Sequence, residues 1–238
     1  MTHPIQQDAI RNQLLQSLPG AEFALLQPDL ERGSHEQGAM MEAPGETITH
    51  VYFPEPGMVS VVAKTQSGVR LEAGIIGPEG MTGLAVLNGT DRSPHATFVQ
   101  IPCRALRIEV AAFNRAIKAS RPLHDRLLLY AQTFSVQLAY TVLCNGHFTI
   151  DQRLARWVLM SHDRADREDL PLTHEFLSLM LGVRRAGVTT ALASLEGTGA
   201  IKARRGGLSI RDRRTLLVRA GDGYGASETE YVRIMMPI

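Results

Sequence analysis

Arg185, Ala186, Thr189 and Thr190 fall on one side of a helix at 100° per residue, and Ala193 extends that face. On the other side Val188, Leu192 and Leu195 recur at i, i+4 and i+7, the spacing of a buried stripe. A helix shaped only for solubility would carry Glu and Lys on its outer face. This one presents short side chains behind an arginine pair, Arg184 and Arg185, and Glu175 is the only carboxylate between Asp169 and Glu196. Such a surface can enter a major groove closely. Arginine then bonds a guanine edge, threonine meets a thymine methyl, and phosphates meet the helix N-terminus. The chemistry implied is the reading of double-stranded DNA, not the making or breaking of bonds.

The neighbouring elements are those needed to hold this helix. Thr173 is a suitable N-cap, His174 follows it, and Leu177, Met180 and Leu181 form the inner face of a short first helix. Gly182 stands where a tight helix-helix turn needs a positive φ. The second helix begins near Arg184 and ends near Gly197 and Gly199. GAIKARRGGLSIRD then reads as a β-hairpin with Arg205-Gly206-Gly207 at its tip, which sets Lys202, Arg204 and Arg205 beside the phosphates. Helix, helix and basic-tipped hairpin make a winged helix-turn-helix; a small helical bundle with a basic surface is the alternative. The charge distribution favours the first. Residues 173–219 hold nine Lys and Arg against Glu175, Glu196 and Asp212, a balance of +6 in a chain whose net charge is only +1.

Ahead of that block the periodicity changes twice. Residues 5–27 read as a helix with Ile10, Leu14, Leu15 and Leu18 inward and Pro19-Gly20 as its stop. From 38 to 110, short β-prone runs alternate with turn residues, predicting a sandwich or jelly-roll barrel that includes a hairpin turning at Gln66-Ser67-Gly68. Residues 111–119 return to helical spacing, and a run from Pro122 to Asn145 predicts one long helix. Leu127, Tyr130, Phe134, Leu138 and Thr141 share a stripe on it, widened by Leu128, Ala131, Ser135 and Val142. A helix apolar on more than one side needs two surfaces. One can be its own β domain, the other the same helix of a second subunit, so the stripe is the expected dimerisation face; burial within one chain is the alternative. A further helix, DQRLARWVLMSHDR, turns Leu154, Trp157, Val158 and Met160 inward, and Asp163–Asp169 reads as a linker.

These segments resemble the Crp/Fnr family, named for the cyclic-AMP receptor protein and Fnr. The likeness runs over nearly the full chain, through FVQIPCRALRI, the long helix, DQRLARWVL and LTHEFLSLMLGVRRAGVTTALASLEGTGAI. It implies an α+β chain: an N-terminal jelly-roll β-barrel of the cyclic-nucleotide-binding type (1–120), a central dimerisation helix (121–146) and a C-terminal winged helix-turn-helix (147–238). It also implies a homodimer on a pseudo-palindromic promoter site, in contact with RNA polymerase, with Arg185 in the place of a base-contacting arginine. Ala186 and Thr190 replace the glutamate and arginine of the best-known members, so their DNA sequence does not carry over.

The resemblance also places an effector pocket, at Gly83, Leu84, Ala85, Arg92, Pro94, His95 and Ala96 with Leu138 and Ala139 from the long helix. Members that bind cyclic AMP use a Gly-Glu pair for the ribose and an Arg-Ser/Thr-Ala run for the phosphate. Here Leu84 holds the glutamate place, Pro94 and His95 fall where the arginine and hydroxyl belong, and Arg92 comes two residues early. A buried phosphate needs a paired positive charge, so cyclic-nucleotide binding in that manner is not expected. An unknown small-molecule effector stays open.

Other chemistries find little support. Cys103 and Cys144 are too few for an iron–sulfur cluster and lack Cys-x-x-Cys spacing, which fits reduced thiols in the cytoplasm, with redox sensing as a minor alternative. His50, His95, His124 and His147 lie in no haem motif. Neither a catalytic triad order, a P-loop nor the His-x-His of a cupin enzyme is present, so no enzyme activity, cofactor or metal is expected. The stretch MTHPIQQDAIRNQ does not read as a signal peptide, and no run of residues matches a membrane span.

Overall fold

Pro19 breaks the helix expected over residues 5–27. In the computed structural model, which describes residues 5–236, a 3-10 turn at Gln7–Ala9 precedes α1 (Gln13–Gln16) and α2 (Gly20–Leu26), with Pro19 at the N-cap of α2. The first four residues, where the segment read against a leader begins, and the last two lie outside the described residues. Ile10, Leu14, Leu15 and Leu18 are all buried nonetheless. Asn12 fixes the entry to α1. Its side-chain oxygen accepts from the Leu15 N–H, while its amide donates 2.8 Å bonds to the carbonyls of Pro54 and Gly80. A fully buried amide satisfied on both sides avoids the cost of an unpaired one.

The β-rich segment supplies β1 (Glu31–His35), β2 (Met40–Glu42), β3 (His50–Pro54), β4 (Met58–Lys64) and β5 (Arg70–Ile76), then a one-turn helix α3 (Leu84–Leu87), β6 (Ala96–Ile101) and β7 (Cys103–Glu109). They form two sheets, ordered β1-β7-β3 and β2-β6-β4-β5. The jelly-roll expectation is met as a pair of sheets, without hydrogen-bonded closure into a barrel among the described residues. Antiparallel pairing of β7 sets Glu31 opposite Arg107 and Val51 opposite Ile108. Val51, Phe53, Val99, Ile101 and Leu106 are fully buried, each contributing about 1.5–3 kcal/mol by leaving water. Helix α4 (Val110–Ala119) closes this part by burying Ala112, Phe113 and Ala116.

Helix α5 (Arg121–His147) runs one residue past the expected stop at Asn145-Gly146. By length and composition it could cross a membrane, with a mean hydropathy of 1.4 over its most apolar window. Leu123, Leu127, Tyr130, Phe134 and Cys144 are however buried inside the chain. This corrects the expected dimerisation stripe. Tyr130 fills the space left by the missing side chain of Gly80, and Phe134 and Leu138 fill that left by Gly74. Thr141 is half-buried, its hydroxyl donating to the Gln137 carbonyl. The exposed side of α5 is instead Leu129, Gln132, Ser135, Ala139, Val142 and Leu143.

The chain divides into two compact units. The first comprises residues up to Val61 with Ile75–Gln132, and the second comprises the hairpin Val62–Gly74 with everything from Thr133 onward. In the second, Thr149 and Gln152 form a reciprocal capping box at the start of α6 (Ile150–Ala165), which buries Leu154, Trp157, Val158 and Met160 as expected. The stretch read as a linker, Asp163–Asp169, is shorter than expected: only residues 166–168 lie outside helix and strand. Helix α6 continues to Ala165, and Asp163 bonds Arg213 at 2.6 Å and the Tyr224 hydroxyl at 2.5 Å. There follow β8 (Asp169–Leu170), α7 (His174–Leu181), α8 (Arg185–Gly197), β9 (Ile201–Arg204), β10 (Gly207–Ile210), α9 (Arg213–Ala220) and α10 (Ala226–Met235), with the sheet ordered β8-β10-β9.

Candidate nucleic-acid interface

The helix-turn-helix forms where the residue pattern places it. Thr173 caps α7, its hydroxyl accepting from the Phe176 N–H at 3.3 Å, and Leu177, Met180 and Leu181 are buried. Gly182 ends the helix at φ +61°, a left-handed conformation that a side chain would strain. Helix α8 buries Val188, Ala191, Leu192 and Leu195 and leaves Arg184, Arg185, Ala186, Thr189, Thr190 and Ala193 exposed. The Thr189 and Thr190 hydroxyls donate to the carbonyls of Arg185 and Ala186 at 3.1 Å. That leaves their methyl groups for a thymine methyl. Arg184, at the N-cap, supplies no side-chain acceptor, and the Gly187 N–H bonds the Arg184 carbonyl at 2.9 Å, so the N–H groups of Arg185 and Ala186 are those left for a phosphate.

The wing is β9 and β10, paired from Ile201–Ile210 to Arg204–Gly207. Its turn is Arg205-Gly206, with Gly206 at φ +80°; Gly207, expected at the tip, begins β10. Lys202, Arg204 and Arg205 are exposed on it, and His174 is exposed at the start of α7. The expected DNA contacts are therefore all surface residues of one unit, except Thr173, which is half-buried at its cap.

Residue pattern did not reveal how the cations are balanced. Arg185 pairs with Glu175 at 3.1 Å, Lys202 with Glu196 at 3.0 Å and Arg204 with Asp169 at 3.2 Å. Hydrogen bonds from Ser209 to Asp169 and from Lys202 to Glu196 hold both carboxyls below the usual range, so they are ionised at neutral pH. Glu175 comes from α7, Glu196 from the end of α8 and Asp169 from β8, separated in sequence from their partners by 10, 6 and 35 positions. Exposed pairs of this kind are weak in water and yield readily to a phosphate or a guanine edge.

The expected effector residues divide between the units. Gly83 caps α3, Leu84 and Ala85 lie in its turn, and Pro94, His95 and Ala96 lead into β6, all in the first unit. Leu138 and Ala139 belong to the second, and Ala139 is exposed. Arg92 is exposed and paired with Asp91 at 2.9 Å. A residue that sequence reading missed sits beside Gly83. Glu42, 7% exposed, accepts from the Gly83 N–H at 2.5 Å and from the Thr97 hydroxyl at 3.0 Å. Its nearest partner is 41 positions away, and no local pattern points to it.

Both thiols are buried. Burial and the nearby Glu55 charge push the Cys103 thiol up to about 12, and burial raises Cys144 as well. The thiolate that would sense an oxidant is thus disfavoured. Among the described residues, no three or more His, Cys, Asp or Glu side chains converge to hold a metal.

Residues 152–219 match the family model of the Crp-like helix-turn-helix domain. No curated protein matches the sequence as a relative. Solved structures match over most of the chain. A transcriptional regulator assigned to the Crp/Fnr family from Eubacterium rectale shows 17% identity and a TM-score of 0.68, over 87% of this chain and 97% of its own. FixK2 from Bradyrhizobium japonicum shows 17% and 0.68, over 81% and 98%. TTHB099, a CRP-family regulator from Thermus thermophilus, shows 19% and 0.66, over 82% and 99%. At such identities the likeness shows the shared fold.

Proposed function

From a Crp/Fnr-type fold that carries a Crp-like helix-turn-helix domain, we propose that this DNA-binding regulator acts as a homodimer on a two-fold-symmetric promoter site. The observation that carries the reading is the outward face of α8. It has small side chains, a first-turn arginine and open N–H groups on a helix whose other face is buried. Arg185 reads a base, while Arg184, Lys202, Arg204 and Arg205 hold phosphates with the N-terminus of α7 at Thr173 and His174. Residues 1–120 serve as the sensor, 121–146 as the dimerising helix and 147–238 as the DNA-binding part. Contact with RNA polymerase, and work in the cytoplasm where the chromosome lies, complete this reading and rest on the family resemblance. Sequencing the genomic fragments that the purified protein retains tests it. One enriched motif with two half-sites about one helical turn apart supports the reading; retention without any motif refutes it.

The sensor does not take a cyclic nucleotide in the familiar way. Leu84 and Pro94 offer no charge for a phosphate, Arg92 is exposed and precedes Pro94 by two residues, and the buried Glu42 carboxylate already holds the Gly83 N–H. A second anion beside Glu42 would meet repulsion in a site poorly screened by water. Millimolar cyclic AMP or cyclic GMP should therefore give no calorimetric heat and no change in DNA affinity. Saturable micromolar binding of either would show that Glu42 moves aside and that this account of the pocket is wrong.

A further inference from the structure

The indole N–H of Trp157, on α6, donates to a Glu72 carboxylate oxygen on β5 at 2.6 Å, with Trp157 4% and Glu72 5% exposed. Its neighbour Leu71 closes on the turn between α7 and α8, placing Cδ1 2.7 Å from where a Cβ on Gly182 would stand. Both residues belong to the hairpin Val62–Gly74, which is part of the second unit. Helix α6 is also the mount of the reading helix. Its Asp151 accepts from the Ser194 hydroxyl of α8 at 2.5 Å, and its Arg153 donates to the Leu181 carbonyl beside Gly182. A buried carboxylate demands partners, and a charge-assisted bond to an indole is strong and directional.

We propose that the Val62–Gly74 hairpin positions the α7–α8 pair, Glu72 holding α6 through Trp157 and Leu71 bracing the turn at Gly182. The proposal rests on the DNA-binding reading for its purpose, not for its geometry. The hairpin's strands continue along the chain into Met58–Val61 and Ile75–Ile76, which belong to the first unit. It is therefore a covalent route by which a change in the N-terminal sheets reaches the reading helix.

The full-length chain tests this. Without DNA, Glu72→Ala and Leu71→Ala should each raise amide hydrogen exchange across residues 174–197 by about tenfold, the scale of removing a bond to a charged group. Trp157 is the only tryptophan, so its emission reports the same pairing. With DNA, both variants should lose about tenfold affinity for the specific site, with the binding-competent fraction unchanged in stoichiometric titration. Glu72→Gln keeps an acceptor oxygen and should recover most of that loss. Trp157→Phe should match Glu72→Ala, and the double variant should add nothing further. Should Glu72→Ala fail to fold, Leu71→Ala and Trp157→Phe carry the test. Unchanged exchange over 174–197 in the folded variants, or tighter DNA binding, would overturn the proposal. A wild-type chain that binds no DNA would sink the DNA reading alone, because exchange decides the hairpin separately.

Discussion

Arg185→Ala should weaken binding to the specific duplex by about 1–3 kcal/mol per half-site and relax preference at one base position, while leaving random DNA almost unaffected. Arg185 is the first residue of α8, and its side chain is 70% exposed. In the free chain it bonds the Glu175 carboxylate at 3.1 Å. A guanine edge presents O6 and N7 as two adjacent acceptors, which an arginine can bond in place of the single Glu175 oxygen it meets here. Arg205 is the contrasting case, because on the proposed reading the wing turn meets sugar and phosphate only. Arg205→Ala should weaken specific and random duplexes by similar factors and lower the slope of log affinity against log salt by about one unit for each phosphate no longer neutralised. Both variants are to be titrated on specific and scrambled duplexes at several salt concentrations. If Arg185→Ala weakened both duplexes equally while Arg205→Ala erased base preference, the roles of helix and wing would be reversed.

Val142→Asp should convert a dimer of about twice the 26.1 kDa chain mass into monomers, and should bring specific DNA binding down by about a thousandfold, to the level of random DNA. Val142 is 72% exposed, so its replacement leaves the fold of the chain intact. It lies on the free side of α5 with Leu129, Ala139 and Leu143, where residues seven apart, such as Leu129, Val136 and Leu143, keep to one seam. Val142 flanks that seam, so a charge there would be brought against a second copy of the helix without a partner. Phe134 is a different target. It is 7% exposed and packed on Gly74, so Phe134→Asp removes core packing worth about 3–5 kcal/mol and unfolds the region before it informs on assembly. Light scattering of Val142→Asp, alongside circular dichroism to confirm its fold, makes the measurement. A folded Val142→Asp dimer, or a wild-type monomer that grips a palindrome tightly, would refute dimerisation through this face.

The helix-turn-helix, its wing and the outward face of α8 were legible in the residue order because every relation that defines them is short. A helix fixes the neighbours at i+3, i+4 and i+7, so the buried and outward faces of α8 follow from spacing alone. Thr173 and Gly182 act on the backbone within four residues of themselves. The wing needed only a glycine-containing turn between two β-prone runs.

Helix α5 shows where that logic stops. Apolar residues lie on more than one of its sides, so periodicity was degenerate and the stripe chosen for a partner proved to be the buried one. Gly74 and Gly80 make room for Phe134 and Tyr130, and they precede those residues by 60 and 50 positions. The same distance in sequence hid the carboxylates. Glu42 meets Thr97 across 55 positions and Glu72 meets Trp157 across 85. Each buried charge was free to pair with any of many donors until packing chose one. Chain-local geometry specifies caps, turns and faces; which face is covered, and which donor a buried carboxylate receives, depends on surfaces that exist only once distant segments have packed.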